Sequence, residues 1–368
     1  MPGLSYRLLL DGAPPAPGLL EQVRLLEVED HAAMAGMLRL RVGVGVKPGG
    51  SGWNVLDDGL FGRLSKVRVS VQVGARSEAL IETHVVDARA TLSNAPGGSA
   101  LDVVAMDGAV LLSLDEVVKA WPNMADGDIA TAIFANHGLV PVVDATQPAR
   151  QELAVTTVQR GTDLAFLRQL AARNGFECFV ALNPRTGVPE GHFHKPKLDA
   201  QPQGVLSVNL GPATNVNRFE ARHDMLRPVA AEARGVDVAT ASGQSGQAED
   251  QTQKVMGQPA PGGRRKVLLS GSGLSDAAEL QTLAQAVADQ SSWAVTAEGE
   301  LNTAAYGGVL RARQPVLVRG AGQRFSGLYY VERVLHSFSD AGHVQRFSLR
   351  RNGLGVTPQD NYAGGGAA

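Results

Sequence analysis

His192-Phe193-His194 sets two imidazoles on one side of an extended strand, a spacing at which a metal ion can be held. Glu190 is the nearest third donor, and no Cys or Asp joins it in a recognisable ligand pattern. A polar, outward-facing strand accounts for the same residues, so His192 and His194 are the weak candidates for a metal. Cys178 is the single cysteine and cannot form an intrachain disulfide; on a strand it reads as a small buried hydrophobe. Asp57-Asp58 and Glu27/Glu29 are carboxylate pairs of the ordinary surface kind, and His84 with Asp87 reads as solvated. A muralytic enzyme needs two placed carboxylates, and nothing in these spacings selects a pair. The glycine-rich stretches fail as phosphate loops. Gly43-Val44-Gly45 is followed by Pro48, and Gly320-Ala321-Gly322 by Phe325, where the last glycine of a dinucleotide fingerprint belongs. Neither a P-loop nor a nucleophile elbow is present. Arg264-Arg265-Lys266 forms a small basic cluster beside a loop, suited to solvent or to an acidic partner. The expectation is a protein without catalytic residues and without a cofactor.

The elements that would position these residues are mostly strands. Residues 161–180, GTDLAFLRQLAARNGFECFV, are the best punctuated unit. Thr162 or Asp163 can cap a helix start. Leu164, Phe166, Leu167, Leu170 and Ala171 share one helical face, with Arg168 and Gln169 toward water. Asn174-Gly175 supplies the left-handed stop, and Phe176, Cys178 and Val180 follow at the period of a strand. Such a one-faced helix needs a sheet to cover.

The first 110 residues read as about six short strands. Val67, Val69, Val71 and Val73 alternate with Lys66, Arg68, Ser70 and Gln72 in the cleanest of them. Ser113-Leu-Asp-Glu116 has capping-box spacing and predicts a short helix ending at Trp121-Pro122, and Asp128 opens another that closes at Gly138. Residues 139–143 and 152–159 read as strands. Residues 241–264 lack apolar periodicity and read as a flexible linker or long loop, after which residues 275–293 predict a second amphipathic helix. The closing segment reads as four or five strands separated by glycine turns, and residues 354–368 as a disordered tail.

At 368 residues the chain is long enough for two to three domains. Its 34 Lys and Arg balance 36 Asp and Glu, so no basic field points to nucleic acid or an anionic membrane. No apolar run approaches a membrane span, and the N-terminus lacks the run of a signal peptide. The fold class expected is mainly β with α insertions.

Two stretches carry a resemblance. VQRGTDLAFLRQLAARNGFECFV is similar to the segment of contractile-tail hub proteins in which a polar turn precedes D-x-x-FLRxLAxxxG and an aromatic-rich strand. The segment GVLRARQPVLVRGAGQRFSGLYYVERVLHSFSDAGHVQRFSLRRNG resembles the end of the same family, closing in RRN. NRFEARHDMLRPVAAEARGVD resembles its connector. The family is the phage late-control D proteins, also the hub half of VgrG-type spikes. The positions matching its signature are Asp163, Phe166, Leu167, Leu170, Gly175, Gly322, Phe325, Gly327, Tyr329, Val331, His336, Arg350, Arg351 and Asn352.

The resemblance implies two tail-tube-like antiparallel β-barrels per chain plus connecting helices. Residues 1–110, with 203–240 returning, would form the first, and 111–202 with 265–353 the second, plugged by the helix of 161–180. It implies a structural baseplate hub: a homotrimer joining a sixfold inner tube to a threefold central spike. Its partners would be a separate spike protein, the tube or a tube initiator and other baseplate proteins, with a LysM-type adaptor and a tape measure or cargo also within reach. The chain would be made in a bacterial cytoplasm and end in the assembled particle, with no nucleic-acid recognition and no membrane insertion. A particle-borne cell-wall hydrolase and a carbohydrate- or receptor-binding β module are the competing expectations.

Overall fold

A computed structural model describes residues 5–73, 76–146, 156–183, 186–237, 240–259, 265–271, 273–274, 276–339, 342–358 and 360. The chain opens with β1 (Ser5–Leu10), β2 (Val23–His31), β3 (Met37–Gly43), β4 (Lys66–Val73), β5 (Arg76–Thr91) and β6 (Ala100–Met106). It continues with β7 (Glu116–Trp121), α1 (Asp126–Asn136), β8 (Val140–Val143), β9 (Thr157–Thr162), α2 (Asp163–Asn174), β10 (Glu177–Leu182) and β11 (Pro189–His194). Next come β12 (Val205–Ser207), β13 (Val216–His223), β14 (Val229–Val236), β15 (Gly243–Ala248), β16 (Arg265–Leu269) and α3 (Ala277–Ser291). The last part holds β17 (Val295–Asn302), α4 (Thr303–Tyr306), β18 (Pro315–Arg319), α5 (Gly322–Phe325), β19 (Gly327–Ser339) and β20 (Gly342–Arg351).

The protein is mainly β. Among the described residues one 12-stranded sheet runs β1-β4-β5-β6-β3-β2-β19-β20-β17-β13, with β18 pairing β19 and β12 pairing β18. The period-two valines of β4 behave as their spacing requires, Val67, Val69 and Val71 being fully buried. They join Leu8, Leu26, Leu38, Leu40 and Val103 in the core of the first six strands. The sheet rolls far enough that Tyr6 of β1 meets Phe338 of β19 edge-on, ring centroids 5.5 Å apart. A second core, of Val295, Leu301, Tyr329, Val331, Phe347 and Leu349, lies under the last strands. There Asn215 links β12 to the start of β13: its backbone N–H donates to the Ser207 carbonyl at 3.1 Å and its side-chain oxygen accepts from Ser207 N at 2.8 Å.

Smaller sheets carry the helices. β10-β11-β8, β15-β14-β16 and β7-β9 stand apart from the large sheet. α1 and α2 share a core with β10 and β11, built on Ile129, Ile133, Phe134, Phe166, Leu167, Leu170, Cys178 and Phe193. α3 lies on β14 and β15 through small residues, Ala231, Ala233 and Ala248 against Leu280, Ala284 and Ala288. Gly246 permits that approach, since a Cβ there would stand 2.2 Å from Gln281 N.

Several elements differ from what the sequence leads one to expect. The strands do not separate into two barrels, because β2 pairs with β19 and makes one sheet of both halves. Residues 203–240 do not return to the first six strands. β12 pairs with β18 and β13 with β17, because Val216, Phe219 and Ala221 complete the second core. Residues 111–202 form their own sheets, and α2 covers β10 rather than plugging the sheet of β17, β19 and β20. The expected helix after Ser113 is strand β7. Asp107 caps a 3-10 turn at Gly108–Ser113 instead, and β7 pairs with β9. The expected linker 241–264 carries β15, and the described part of the expected tail is bound, Leu354 exchanging hydrogen bonds of 2.7 and 2.8 Å with Gln258. The strand expected over 152–159 begins at Thr157, residues 152–155 lying outside the described residues, as do 361–368 of the tail.

Candidate functional site

Thr162 Oγ1 accepts from Ala165 N at 3.3 Å and caps α2, and Gly175 takes the left-handed conformation that ends it. A Cβ on Gly175 would press on Ala286 of α3 at 3.2 Å, so the stop is also a packing point. Asp163 ties the helix start to its surroundings, accepting from Gln159 Nε2 at 2.6 Å and His137 Nε2 at 2.8 Å. Phe166, Leu167 and Leu170 are buried as their face predicts. Gln169 is exposed, but Arg168, expected beside it toward water, is half-buried.

β10 follows directly and delivers the carboxylate of Glu177 into the interior, 7% exposed. Its Oε2 accepts the Tyr330 hydroxyl proton at 2.6 Å, and its Oε1 accepts from Arg350 Nη2 at 3.0 Å. Arg350 also faces Glu332 at 3.6 Å and lies over the rings of Trp293 and Tyr330, at 4.4 and 5.3 Å. Burial pushes the Glu177 carboxyl up, and the Arg350 guanidinium and Tyr330 hydroxyl oppose that push. Burial also raises the Tyr330 phenol well above its ordinary value. The arrangement is a brace: a strand of the helical part is locked to β19 and β20 by a desolvated ion pair with its acceptors filled.

The other two residues of the RRN ending brace loops. Arg351 donates from Nε to the Met256 carbonyl at 3.0 Å, from Nη1 to Ser326 at 2.9 Å and from Nη2 to Gly355 at 2.7 Å, with its guanidinium 4.8 Å from the Tyr329 ring centroid. Gly327, at φ 126°, leaves room for that guanidinium; a Cβ would stand 3.0 Å from it. Asn352 accepts from Met256 N at 2.8 Å and donates to the Lys254 carbonyl at 2.9 Å. Tyr329 donates to the Phe325 carbonyl at 2.9 Å, holding α5, whose first residue Gly322 has φ 74°. Val331 is fully buried.

His336 is buried in β19 and shares a hydrogen bond of 3.1 Å with His343 Nε2 of β20. Burial drives its pKa well below the ordinary value, and His343 and Arg311 add to the effect. Burial, then Arg311, takes His343 to about 4. Both rings are therefore neutral at neutral pH.

His192 and His194 do meet on one side of β11, sharing a hydrogen bond of 3.3 Å. His192 turns its other nitrogen to Glu190 at 3.3 Å, and His194 Nδ1 donates to the Lys195 carbonyl at 2.8 Å. The donors form a line rather than a cage, and among the described residues no three His, Cys, Asp or Glu side chains converge to hold a metal. His192 stacks on Phe179 at 4.4 Å, and burial, then His194, Lys197 and Arg313, push it down to about 3. The strand is not outward-facing, as its polarity suggests; it stacks inward under Arg313, which lies 4.3 Å over Phe179 and pairs with Asp30. Glu177, Arg313, Trp293 and His343 escaped sequence reasoning. The partners of the first three lie far along the chain, Glu177 standing 173 residues from Arg350, whereas His343 meets His336 across the β19-β20 hairpin only seven residues away.

The model of the family described as the Alg8 N-terminal domain matches residues 56–340. No curated protein matches by sequence. Among solved structures, the tail protein from Neisseria meningitidis MC58 is 13% identical, with 95% of this chain and 97% of that chain covered at a TM-score of 0.68. The 43 kDa tail protein of prophage MuSo2 from Shewanella oneidensis is 14% identical over 94% of this chain and 98% of that one, at 0.64. The E. coli c3393 protein, a type VI secretion component similar to the T4 tail proteins gp27 and gp5, is 12% identical over 94% and 76%, at 0.56. The chain has the fold these tail and secretion-system proteins share.

Proposed function

We propose that this chain, which belongs to the Alg8 N-terminal domain family, is a structural baseplate hub of a contractile tail or injection system, of the late-control D and VgrG-hub kind. Three copies form a ring that faces a sixfold inner tube on one side and a separate threefold spike on the other. The observation that carries this is the end-to-end likeness to a tail protein, over 95% of this chain and 97% of the other. Two rolled antiparallel regions, each over its own core, suit the reading. Each supplies one tube-facing unit, so three chains present six units to a sixfold tube while keeping threefold symmetry for a spike. The charged and polar residues brought together by the fold serve as braces: Arg350, Arg351 and Asn352 fix loops and strands. The function is then assembly, without turnover.

Reconstruction of the assembled particle, or of this chain co-expressed with its spike, tests the reading. Three copies around the axis are expected, both tube-like regions of each lying in one six-unit ring, with contacts that bury well over about 1,000 Å². Any other copy number, or one region alone in the ring, overturns it. Incubation with peptidoglycan and casein should release nothing, and turnover lost on His192→Ala/His194→Ala would replace the hub by a hydrolase.

A further inference from the structure

One basic and apolar surface is used by none of the braces above. Met225 and Leu226, in the turn between β13 and β14, are 65% and 71% exposed, and Leu268 of β16 is 56% exposed. Arg222 and Arg227 flank the turn in sequence and Arg265 and Lys266 precede Leu268 on β16, all exposed. Arg265 Nε donates to the Leu226 carbonyl at 3.1 Å, which sets the basic strand against the apolar turn. Arg324 brings a further guanidinium to the same end, 2.8 Å from His223 Nδ1. The carboxylates nearby are Asp224, 4.0 Å from Arg222, and Glu232, engaged by Arg234 at 2.6 Å. The patch is thus basic in a chain whose net charge is −2.

The second observation is backbone. Among the described residues β16 pairs with β14 alone, so its outer edge offers N–H and C=O groups to a further strand. Leu269 packs with the α3 core, which places Lys266 and Leu268 on the opposite face by the alternation of a strand.

We propose that the β16 edge binds an extended acidic segment of a different protein of the same particle, added as a fourth strand to β15-β14-β16. A carboxylate of that segment sits opposite Lys266, and an apolar side chain two residues away covers Leu268, with Met225 and Leu226 closing over its end. Arg222, Arg227 and Arg265 meet its remaining charge. A protein strand suits the surface better than a lipid or a nucleic acid because neither of those completes a strand ladder. The proposal rests on the hub reading.

The test uses the assembled particle and the isolated chain side by side. A zero-length carbodiimide should link Lys266 to an Asp or Glu of another polypeptide, and the amides of Val267–Leu269 should exchange on the order of tenfold or more slower in the particle than in the isolated chain. Lys266→Arg should lose the link and keep the slow exchange. Arg265→Glu/Lys266→Glu should lose both, with the thermal unfolding of the isolated chain unchanged. Lys266 unlinked and the amides equally fast in a particle that contains the chain overturns the proposal and leaves the hub intact. A link to another copy of this chain, or binding of the isolated chain to anionic vesicles or duplex DNA that the charge reversal abolishes, overturns it as well. Absence of the chain from the particle overturns both readings.

Discussion

Replacing Arg351 by Met keeps the length and apolar stem of the side chain and removes its fork of donors. Arg351 is fully buried and serves the carbonyls of Met256, Ser326 and Gly355. Hydrogen bonds to a charged donor contribute about 1.5–3 kcal/mol each, so three lost together are worth roughly 5–9 kcal/mol. The cation over the Tyr329 ring adds about 0.5–2 kcal/mol. Against this stands the relief of no longer burying a cation, several kcal/mol. The net expected loss is about 3–5 kcal/mol. Arg346→Met is the matched control on the same strand. Its ion pair with Glu300 spans 3.0 Å with the arginine side chain 56% exposed, and its loss should cost less than about 1 kcal/mol. Urea unfolding of both variants, extrapolated linearly to water, measures the difference. Trypsin should also cleave after Lys254 faster in Arg351→Met, because the Met256 loop loses its anchor. Equal stability losses for the two variants, with no change in cleavage at Lys254, would show that the guanidinium braces nothing.

Leu170→Ala should cost about 2–5 kcal/mol, because Leu170 is 1% exposed in the core of α1 and α2, while exposed Gln169→Ala should stay within about 0.5 kcal/mol; similar costs would show that the helix faces are misassigned. Stability contributed by His336 and His343 is present above pH 6.5 and lost on acidification, since the unfolded imidazoles take up protons there while burial holds His336 well below its ordinary value and His343 at about 4. Asp107, raised to about 6 by burial, works in the opposite direction over part of that range, so the readout is the wild-type profile against His336→Gln/His343→Gln, whose unfolding midpoint should fall less between pH 6.5 and 4. Superimposable profiles would refute it. Burial pushes the Cys178 thiol up to about 12; it should resist a disulfide reagent at pH 8 in the native chain and react once unfolded, and prompt native labelling would contradict that burial.

Local signals in the sequence were dependable. The cap, stop and apolar face of α2, the valine alternation of β4 and the Gly138 close of α1 all follow from residues within a few positions of each other. What the sequence hid is tertiary. Ser113–Glu116 has the spacing of a capping box, yet Asp107 captures the preceding turn and β9 draws Glu116–Trp121 into a strand. Gly243–Ala248 lacks apolar periodicity because its buried positions are Gly246 and Ala248, chosen for close contact with α3. The assignment of 203–240 failed because strand patterns carry no partner label: Val216, Phe219 and Ala221 fit either core by type. For the signature residues, the motif located Arg350, Arg351 and Asn352, but their roles emerge only with Glu177, Met256 and Ser326 in place.

The pairing of β2 with β19 has a consequence in time. Ser337 reaches Glu27 across 310 residues of chain. A ribosome adding about 5–20 residues per second leaves β2 without its neighbour for roughly 15–60 s. During that interval the first six strands sit folded or collapsed with one long edge open, exposed to other nascent chains. Completion of the large sheet, and with it any surface a neighbouring subunit could read, waits for a segment made 310 residues after β2. Truncated chains therefore carry no finished surface to offer, and the order of synthesis itself keeps fragments out of the assembly.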